Sequence, residues 1–278
     1  MIPPLARRFV AGESAATALE HARRLNDDGV GVILNLLGEH YEDPERARAD
    51  ADAYCRLAED AARADLRACL SVKPTQLGLQ VGEDTFRENL GRVVNCASAH
   101  GVFVWIDMED HTTTDATLDA FEDHALATDG GVGVCVQANL RRTAGDLERL
   151  ADLPGKVRLV KGAYDPPTDI AHQEKATVDD VYEDLLEYMF RTFADGIAVG
   201  SHDPAMVARA ASLHETYGTP HEIQMLMGVR EAAQRDLAGQ REVWQYVPYG
   251  GKWLSYFYRR VSENLGNATF ALRALVSG

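Results

Sequence analysis

The sequence predicts a single α/β domain, a distorted (β/α)8 barrel that spans residues 1–278. Eight short runs rich in Val, Ile and Leu alternate with segments of helical periodicity, and such a barrel typically takes roughly 250 residues. No linker-like or low-complexity segment divides the chain. Strands that are apolar on both faces and joined by helices pair in parallel, so the sequence favours a sheet covered by helices.

The predicted strands are short and regularly spaced. They cover residues 30–36, 68–72, 102–106, 132–136, 157–160, 196–199, 222–225 and 243–247. An open doubly wound sheet is the alternative, and it would normally carry a glycine-rich turn after its first strand. Leu37-Gly38-Glu39 does not match G-x-G-x-x-G, so the closed barrel is the better prediction.

Several of the intervening helices have recognisable beginnings. Asp43-Pro44 and Asp203-Pro204 each combine an N-cap aspartate with a proline suited to the first helical position. Further helices are predicted from Asp84 to Gly101, from Thr177, and from about Lys252 onward.

Charge and composition exclude some classes of function. The chain has 28 Lys+Arg and 43 Asp+Glu, a net charge of −15 that would repel a phosphate backbone, so nucleic acid is not an expected partner. The longest mostly apolar run, residues 29–38, falls well short of the ~20 residues that span a bilayer. No signal peptide is recognised, so we expect a cytoplasmic protein, with contact at the inner face of the membrane left open.

The four cysteines are far apart in sequence and include no C-x-x-C pair. They are Cys55, Cys69, Cys96 and Cys135. The spacing indicates neither a zinc site nor a disulfide framework, so we expect four small core residues in a reducing compartment.

Polar residues follow the predicted strands at their carboxyl ends. These are Glu39, Lys73, Asp107, Gln137, Lys161, His202, Gln224 and Tyr246. The carboxyl ends of barrel strands share one face, where barrel enzymes carry their chemistry. Any single member could simply mark the exit of a strand to solvent, but the whole set predicts one functional pocket.

Two of the predicted site residues have local alternatives. Arg158 lies within a predicted strand, and a buried charge is costly unless it is paired or meets a ligand. Asp107 opens a segment with Glu109, Asp110 and His111, which could be a divalent-cation site, an ion-pair anchor or a solvated loop.

Two further sets lie near helices. Ser201 and His202 precede a helix amino terminus, where N–H groups favour a phosphate, although a structural histidine is an equal alternative. In the last predicted helix, four residues share a face by their spacing: Tyr256, Arg259, Arg260 and Glu263. Adjacent arginines suit a carboxylate ligand, and the alternative is a solvated face with an Arg259–Glu263 pair.

Seven segments, in order between about Arg8 and Asn267, together resemble the proline dehydrogenase family in its short monofunctional bacterial form. They are SVK at 71–73, ID at 106–107, VQA at 136–138, RLVKGAY at 158–164, SHD at 201–203, QMLMG at 224–228, and YVPYG at 246–250 with RR at 259–260 and EN at 263–264. The resemblance implies a distorted barrel that holds FAD. It also implies oxidation of L-proline to Δ1-pyrroline-5-carboxylate by hydride transfer to flavin N5, with a quinone as electron acceptor.

The resemblance further implies roles for individual residues. The expected FAD contacts are Met108, Gln137, Arg158, Lys161, Gly162, Ala163, Ser201, His202 and Gln224. Lys73, Arg259 and Arg260 would hold the proline carboxylate, and Tyr246 and Tyr256 would line its ring. Asp107 and Arg158 would be the catalytic residues, with Asp107 supporting Lys73. Glu39 would pair with Arg259 as a gate, and no metal site is implied.

Three features depart from the family pattern: Asn139 replaces a common aromatic residue, Ser201 replaces the usual threonine, and Asp165-Pro166-Pro167 forms an unusual exit from the fifth strand. Two other functions stay open on the sequence alone. One is a metal-assisted lyase or isomerase that uses the Asp107–His111 segment, and the other is a non-catalytic carboxylate-binding module. The sequence leaves the oligomeric state open.

Overall fold

Eight parallel strands close into a barrel in sequence order, with the last strand paired back to the first. The computed structural model describes residues 2–3, 6–254 and 256–257. The strands are β1 (Gly31–Leu36), β2 (Ala68–Val72), β3 (Val104–Ile106), β4 (Val132–Gln137), β5 (Lys156–Val160), β6 (Ile197–Gly200), β7 (His221–Leu226) and β8 (Val243–Tyr249). The predicted (β/α)8 architecture is confirmed.

Helices surround the barrel, with one α-helix before β1 and one between each successive pair of strands. They are α1 (Ala15–Asp27), α2 (Pro44–Arg63), α3 (Glu83–Ala99), α4 (Thr114–Ala127), α5 (Thr143–Leu150), α6 (Lys175–Thr192), α7 (Pro204–Tyr217) and α8 (Glu231–Ala238). Short 3-10 helices cover Ala6–Arg8 and His111–Thr113.

The predicted helix starts follow from local chemistry. The Asp43 carboxylate accepts a hydrogen bond from Glu45 N at 2.9 Å, and Asp203 accepts one from Ala205 N at 3.0 Å. Each aspartate satisfies a backbone donor that the first helical turn leaves free, and the proline that follows needs no such partner. Helix α6 begins at Lys175, two residues before the predicted Thr177.

Different sets of side chains pack on the two faces of the strands. On the outside of the strands, residues such as Val32 and Leu34 pack with helix residues such as Tyr54. Inside the barrel, Ile33, Cys69, Trp105 and Ala198 form a buried cluster. The interior is therefore a packed core below the carboxyl ends of the strands, so within the barrel the space for a ligand lies at that face.

The structure corrects the expectation of four free cysteines. Cys55 on α2 and Cys96 on α3 form a disulfide, with their Cα atoms 5.3 Å apart, whereas Cys69 and Cys135 are buried free thiols. The two bridged residues are 41 positions apart, and only the packing of neighbouring helices α2 and α3 brings them together. Sequence spacing does not record that kind of proximity.

No described helix combines the length and the apolar character that a membrane crossing requires.

Replacing Gly133 by alanine tests how tightly the barrel interior is packed. A Cβ atom on Gly133 would lie 2.6 Å from the Trp105 ring and 2.9 Å from the Lys156 carbonyl oxygen. We expect Gly133→Ala to lower the free energy of unfolding by about 1–3 kcal/mol, because the interior cannot accept the methyl group without displacement. Urea denaturation measures this change.

The matched control is Gly145→Ala, in the exposed part of α5, where a Cβ meets nothing within 4 Å. It should raise the free energy of unfolding by about 0.5–1 kcal/mol, because alanine restricts the unfolded chain. Equal effects of the two changes would contradict the packing argument.

Candidate active site

A cavity of about 710 Å³ opens at the carboxyl ends of the strands. Seven of the eight predicted strand-end residues line it: Glu39, Lys73, Asp107, Lys161, His202, Gln224 and Tyr246. The exception is Gln137, whose side-chain amide donates to the Glu109 carbonyl at 3.0 Å. The prediction that one pocket collects the polar strand ends therefore agrees with the structure, apart from Gln137.

Asp107, directly after β3, is the centre of the charged part of the cavity. Its Oδ1 accepts hydrogen bonds from Ser71 Oγ at 2.6 Å and from the Arg158 guanidinium. Its Oδ2 accepts one from the Tyr246 hydroxyl at 2.7 Å, and Lys73 Nζ lies 3.9 Å from the same oxygen. One carboxylate thus joins side chains from β2, β5 and β8.

The surroundings of Asp107 fix its charge. Burial alone would raise the pKa of this carboxyl, but Arg158 and Lys73, with the hydrogen bonds from Ser71 and Tyr246, bring the pKa below its ordinary value. Burial likewise disfavours a charged Lys73, yet Asp107 raises the pKa of that lysine overall. Burial, followed by the Asp107 charge, raises the pKa of Tyr246 well above normal. At neutral pH the group contains a carboxylate, an ammonium and a neutral phenol.

Arg158 shows how a buried guanidinium is satisfied inside the barrel. Besides Asp107, it donates to Gln224 Oε1 at 3.0 Å, and its Cζ lies 4.9 Å from the centre of the Trp105 ring. Lys73 and Arg158 together exceed the single negative charge of Asp107 by one. The cavity floor is therefore locally positive and suits a carboxylate ligand.

Lys161, directly after β5, is held by two carboxylates. Its Nζ donates to Asp179 Oδ1 at 2.5 Å and to Asp203 Oδ2 at 2.8 Å. Burial alone would lower the pKa of Lys161, but these two partners raise it. Because its charge is neutralised by the protein, Lys161 adds little to the positive field of the cavity floor.

Small residues form part of the wall beside Lys161. Gly162 has a φ angle of +116°, and a Cβ there would lie 2.3 Å from Asn139 Oδ1. A Cβ on Gly200 would lie 2.7 Å from the Val160 side chain. With Ala163 also in the lining, the backbone is accessible to a flat ligand over this stretch.

Ser201 and His202 line the cavity beside the amino terminus of α7, as expected. Ser201 Oγ accepts from Asp203 N at 3.2 Å, and His202 Nε2 accepts from Leu226 N at 3.1 Å. An accepting Nε2 places the proton of a neutral imidazole on Nδ1. Asp203 already takes one of the helix N–H groups, which leaves fewer of them for an anion.

The remaining predicted site residues divide into two groups. Met108, Ala163 and Tyr256 line the cavity, together with Gly162. Arg259, Arg260 and Glu263 lie outside the described residues, so the predicted carboxylate clamp is described only at Lys73 and the predicted gate only at Glu39.

Sequence reasoning missed several residues that shape the site. Cys135 and Tyr164 line the cavity, and Asp179 holds Lys161. Cys135 could have been found, because it lies two positions before Gln137 and alternate strand residues face the same side. Asp179 could not, because it lies on α6, far from Lys161 in sequence.

The acidic segment after β3 does not converge on one point. The Glu109 carboxylate accepts from Thr75 N at 2.7 Å and from Thr75 Oγ1 at 2.8 Å. Asp110 instead caps the 3-10 helix that begins at His111. Over the described ranges, no group of three or more His, Cys, Asp or Glu side chains is arranged to hold a metal ion.

A positively charged floor next to a wall of small residues, at the carboxyl face of a β/α barrel, suits an oxidoreductase that binds a flat cofactor and a small acid. Comparison with known proteins agrees. The proline dehydrogenase family model matches residues 18–273. The chain belongs to the proline dehydrogenase family, whose members are FAD-dependent oxidoreductases.

Two relatives match over almost their whole length. Proline dehydrogenase of Deinococcus radiodurans is 36% identical over 99% of this chain and 91% of its own. Proline dehydrogenase 1 of Bacillus subtilis is 32% identical over 98% of this chain and 90% of its own.

A solved structure supports the fold. The crystal structure of proline utilization A (PutA) from Bdellovibrio bacteriovorus inactivated by N-propargylglycine has a TM-score of 0.84 and 23% identity. The matched region covers 94% of this chain but only 32% of the PutA chain. This likeness shows the barrel fold.

Replacing Asp107 by asparagine tests the charged floor. A buried ion pair that loses one partner costs about 3–5 kcal/mol, so Asp107→Asn should lower the free energy of unfolding by that order at pH 7. Because folding lowers the pKa of Asp107, its stabilising effect is present at neutral pH and is lost as the carboxylate becomes protonated. The difference from wild type should shrink below about pH 4.

Urea denaturation at a series of pH values measures that difference. The control is Asp115→Asn, which breaks the Arg142 pair of a carboxylate whose side chain is 77% exposed, and should cost at most about 1 kcal/mol. A pH-independent difference for Asp107→Asn would show that the charge of Asp107 does not stabilise the fold.

Proposed function

We propose that this chain oxidises L-proline to Δ1-pyrroline-5-carboxylate with bound FAD and passes the electrons to a quinone. Proline loses a hydride from C5 and a proton from nitrogen, so two electrons and two protons leave the substrate. The observation that carries the proposal is the Lys73–Asp107–Arg158–Tyr246 group at the cavity floor, in a chain of the proline dehydrogenase family. It combines a cation for the substrate carboxylate with a buried guanidinium.

The residues present fit FAD. The cavity of about 710 Å³ has the wall of small residues that a flat ring system needs. Asn139 Oδ1, which adjoins Gly162, is buried and has no hydrogen-bond partner among the described residues. FAD, when bound, accepts the hydride from proline. We propose that its holding residues are Met108, Arg158, Lys161, Gly162, Ala163, Ser201, His202 and Gln224.

Gln137 takes a different place in the proposal. Its side chain is outside the cavity lining and holds the Glu109 carbonyl, in the loop that follows Asp107 and Met108. We therefore propose that Gln137 acts on the cofactor indirectly, by holding that loop in position.

Substrate binding depends on the protein's own charges. Lys73 binds the proline carboxylate together with Arg259 and Arg260, and Asp107 keeps Lys73 protonated and oriented. Tyr246 donates a hydrogen bond to Asp107, which fixes its ring as a wall of the substrate pocket, and Tyr256 also lines the cavity. Glu39, in the cavity lining, pairs with Arg259 and closes the pocket.

Because the proposed electron acceptor is a quinone, we propose that the transfer of electrons from the cofactor to the acceptor takes place at a membrane surface. Quinones with long apolar tails stay in the bilayer, so the acceptor would be met by peripheral contact of the protein with the membrane. A comparison of turnover with a water-soluble quinone and with a lipid-embedded quinone tests this part.

A visible spectrum before and after anaerobic addition of L-proline tests cofactor and reaction together. We expect a flavin absorption band that bleaches on addition of proline. A colourless protein that does not take up added FAD would contradict the proposal. Activity that chelators abolish and Mg²⁺ or Mn²⁺ restores would favour the metal-assisted enzyme. Binding of proline without bleaching would favour the carboxylate-binding module.

Removing the cation at position 73 tests substrate binding. A charge-assisted hydrogen bond contributes about 1.5–3 kcal/mol, so Lys73→Met should raise the KM for proline about 10- to 150-fold. Arg259→Met and Arg260→Met should act in the same direction. The flavin absorbance of the purified variants should persist, because these residues hold the substrate.

Steady-state kinetics measures KM, and Arg63→Met on the exposed side of α2 is the control. An unchanged KM in Lys73→Met would remove Lys73 from the substrate site. A lost flavin band would instead move it to the cofactor site.

A further inference from the structure

We propose that Glu222, on β7 inside the barrel, is a positioning residue that fixes the Arg158 guanidinium through Gln224. The inference rests on the proposed function of Arg158 at the cofactor and assigns a role to a residue that does not line the cavity. Glu222 is 3% exposed.

A chain of hydrogen bonds leads from the amino end of the barrel to the cavity floor. Lys156 Nζ donates to Glu222 Oε2, and Gln224 Nε2 donates to Glu222 Oε1 at 2.6 Å. Arg158 then donates to Gln224 Oε1 at 3.0 Å and, on its other side, to Asp107. Arg158 is therefore held from both sides by acceptors.

The direction of this chain is set by Glu222. A glutamine side chain has one donor end and one acceptor end, whereas a carboxylate only accepts. Glu222 therefore draws the NH2 group of Gln224 toward itself and leaves Oε1 facing Arg158. If Gln224 turned over, its NH2 group would face the guanidinium, and two donors would oppose each other.

Charge alternates along the same line. Lys156, with a third of its side chain exposed, extends inward from the amino end of the barrel and compensates the charge of Glu222. Burial alone would lower the pKa of Lys156, but the Glu222 carboxylate raises it. The sequence of charges is positive at Lys156, negative at Glu222, positive at Arg158 and negative at Asp107.

Two apolar side chains in place of Lys156 and Glu222 would fill the same space at a lower desolvation cost. A buried, acceptor-only side chain is useful here because a planar guanidinium must be held in one orientation to act on a neighbouring group. The packing agrees with that need, since Phe103 lies under Lys156 and Trp105 under Arg158.

The first test is Glu222→Gln in the FAD-loaded enzyme. The new amide has one acceptor end for two donors, Lys156 and Gln224, so Gln224 is no longer held in one orientation. A misplacement near 1 Å can cost up to about 100-fold in rate, and we expect kcat to fall about 10- to 100-fold. The midpoint potential of the bound flavin should fall as well, because the guanidinium no longer stabilises the reduced form.

A substrate-site readout separates positioning from substrate binding. Cyclopentanecarboxylate has the ring and acid of proline but no nitrogen to oxidise. Its Kd should stay within about twofold of wild type in Glu222→Gln, because Lys73 is unchanged. A tenfold weaker Kd would place the effect at the substrate and overturn the proposal.

The second test exchanges the two side chains. In E222Q/Q224E, the carboxylate at position 224 accepts from Arg158 and from the new amide, whose oxygen accepts from Lys156. Every hydrogen bond and the total charge are restored, so kcat of the double variant should exceed that of E222Q and that of Q224E. A folded double variant that stays as slow as E222Q would overturn the proposal.

An ion pair on the outside of the barrel supplies matched controls. Glu187 on α6 pairs with Arg209 on α7, with exposures of 39% and 33%. Glu187→Gln removes the same charge as Glu222→Gln and should leave kcat and flavin potential at wild-type values. Thermal unfolding of all variants shows whether stability follows the same pattern as kcat.

If Glu222→Gln does not fold, the variant Lys156→Glu at the amino end of the barrel tests the proposal instead. It places a second carboxylate beside Glu222 and should lower kcat at least about fivefold, whereas Arg209→Glu beside Glu187 should not. A wild-type kcat in Lys156→Glu would overturn the proposal.

Arg158→Gln distinguishes this inference from the proposed function. If Arg158→Gln keeps wild-type kcat, the role proposed for Arg158 fails. If Arg158→Gln is inactive while Glu222→Gln keeps wild-type kcat and flavin potential, only the role of Glu222 fails.

Discussion

The site depends on one buried carboxylate between two cations. Asp107 accepts from Ser71, Arg158 and Tyr246 and lies within 3.9 Å of Lys73 Nζ. Each of these charges would be costly to bury alone, and each is stabilised by the others. Because they come from separate strands, the arrangement exists only when the barrel is closed, so folding and the assembly of the site are the same event.

The charge distribution explains how an acidic protein can bind an acid. The net charge of −15 opposes an anion at long range, but salt screens exposed charges beyond about 8–10 Å. At the cavity floor, Lys73 and Arg158 exceed Asp107 by one positive charge. Lys161, on the other wall, is neutralised by Asp179 and Asp203. The protein thereby confines its positive field to the part of the cavity near Lys73.

The order and type of the elements could be predicted because their signals are local. The aspartate–proline pairs at 43–44 and 203–204 start helices in the structure, and the predicted strand ends differ from the observed ones by at most two residues, as at Tyr249. The family also followed from the sequence. The roles of Arg259, Arg260 and Glu39 remain predictions from the family resemblance.

The sequence by itself determined eight strands in order, the residues at their carboxyl ends and the membership in a family. Only the tertiary structure decided which partners those residues meet. It pairs Cys55 with Cys96, gives Lys161 to Asp179 and Asp203, and directs Gln137 to the Glu109 carbonyl rather than into the cavity. Periodicity and capping act over a few residues, whereas these contacts depend on how distant strands and helices pack once the barrel closes.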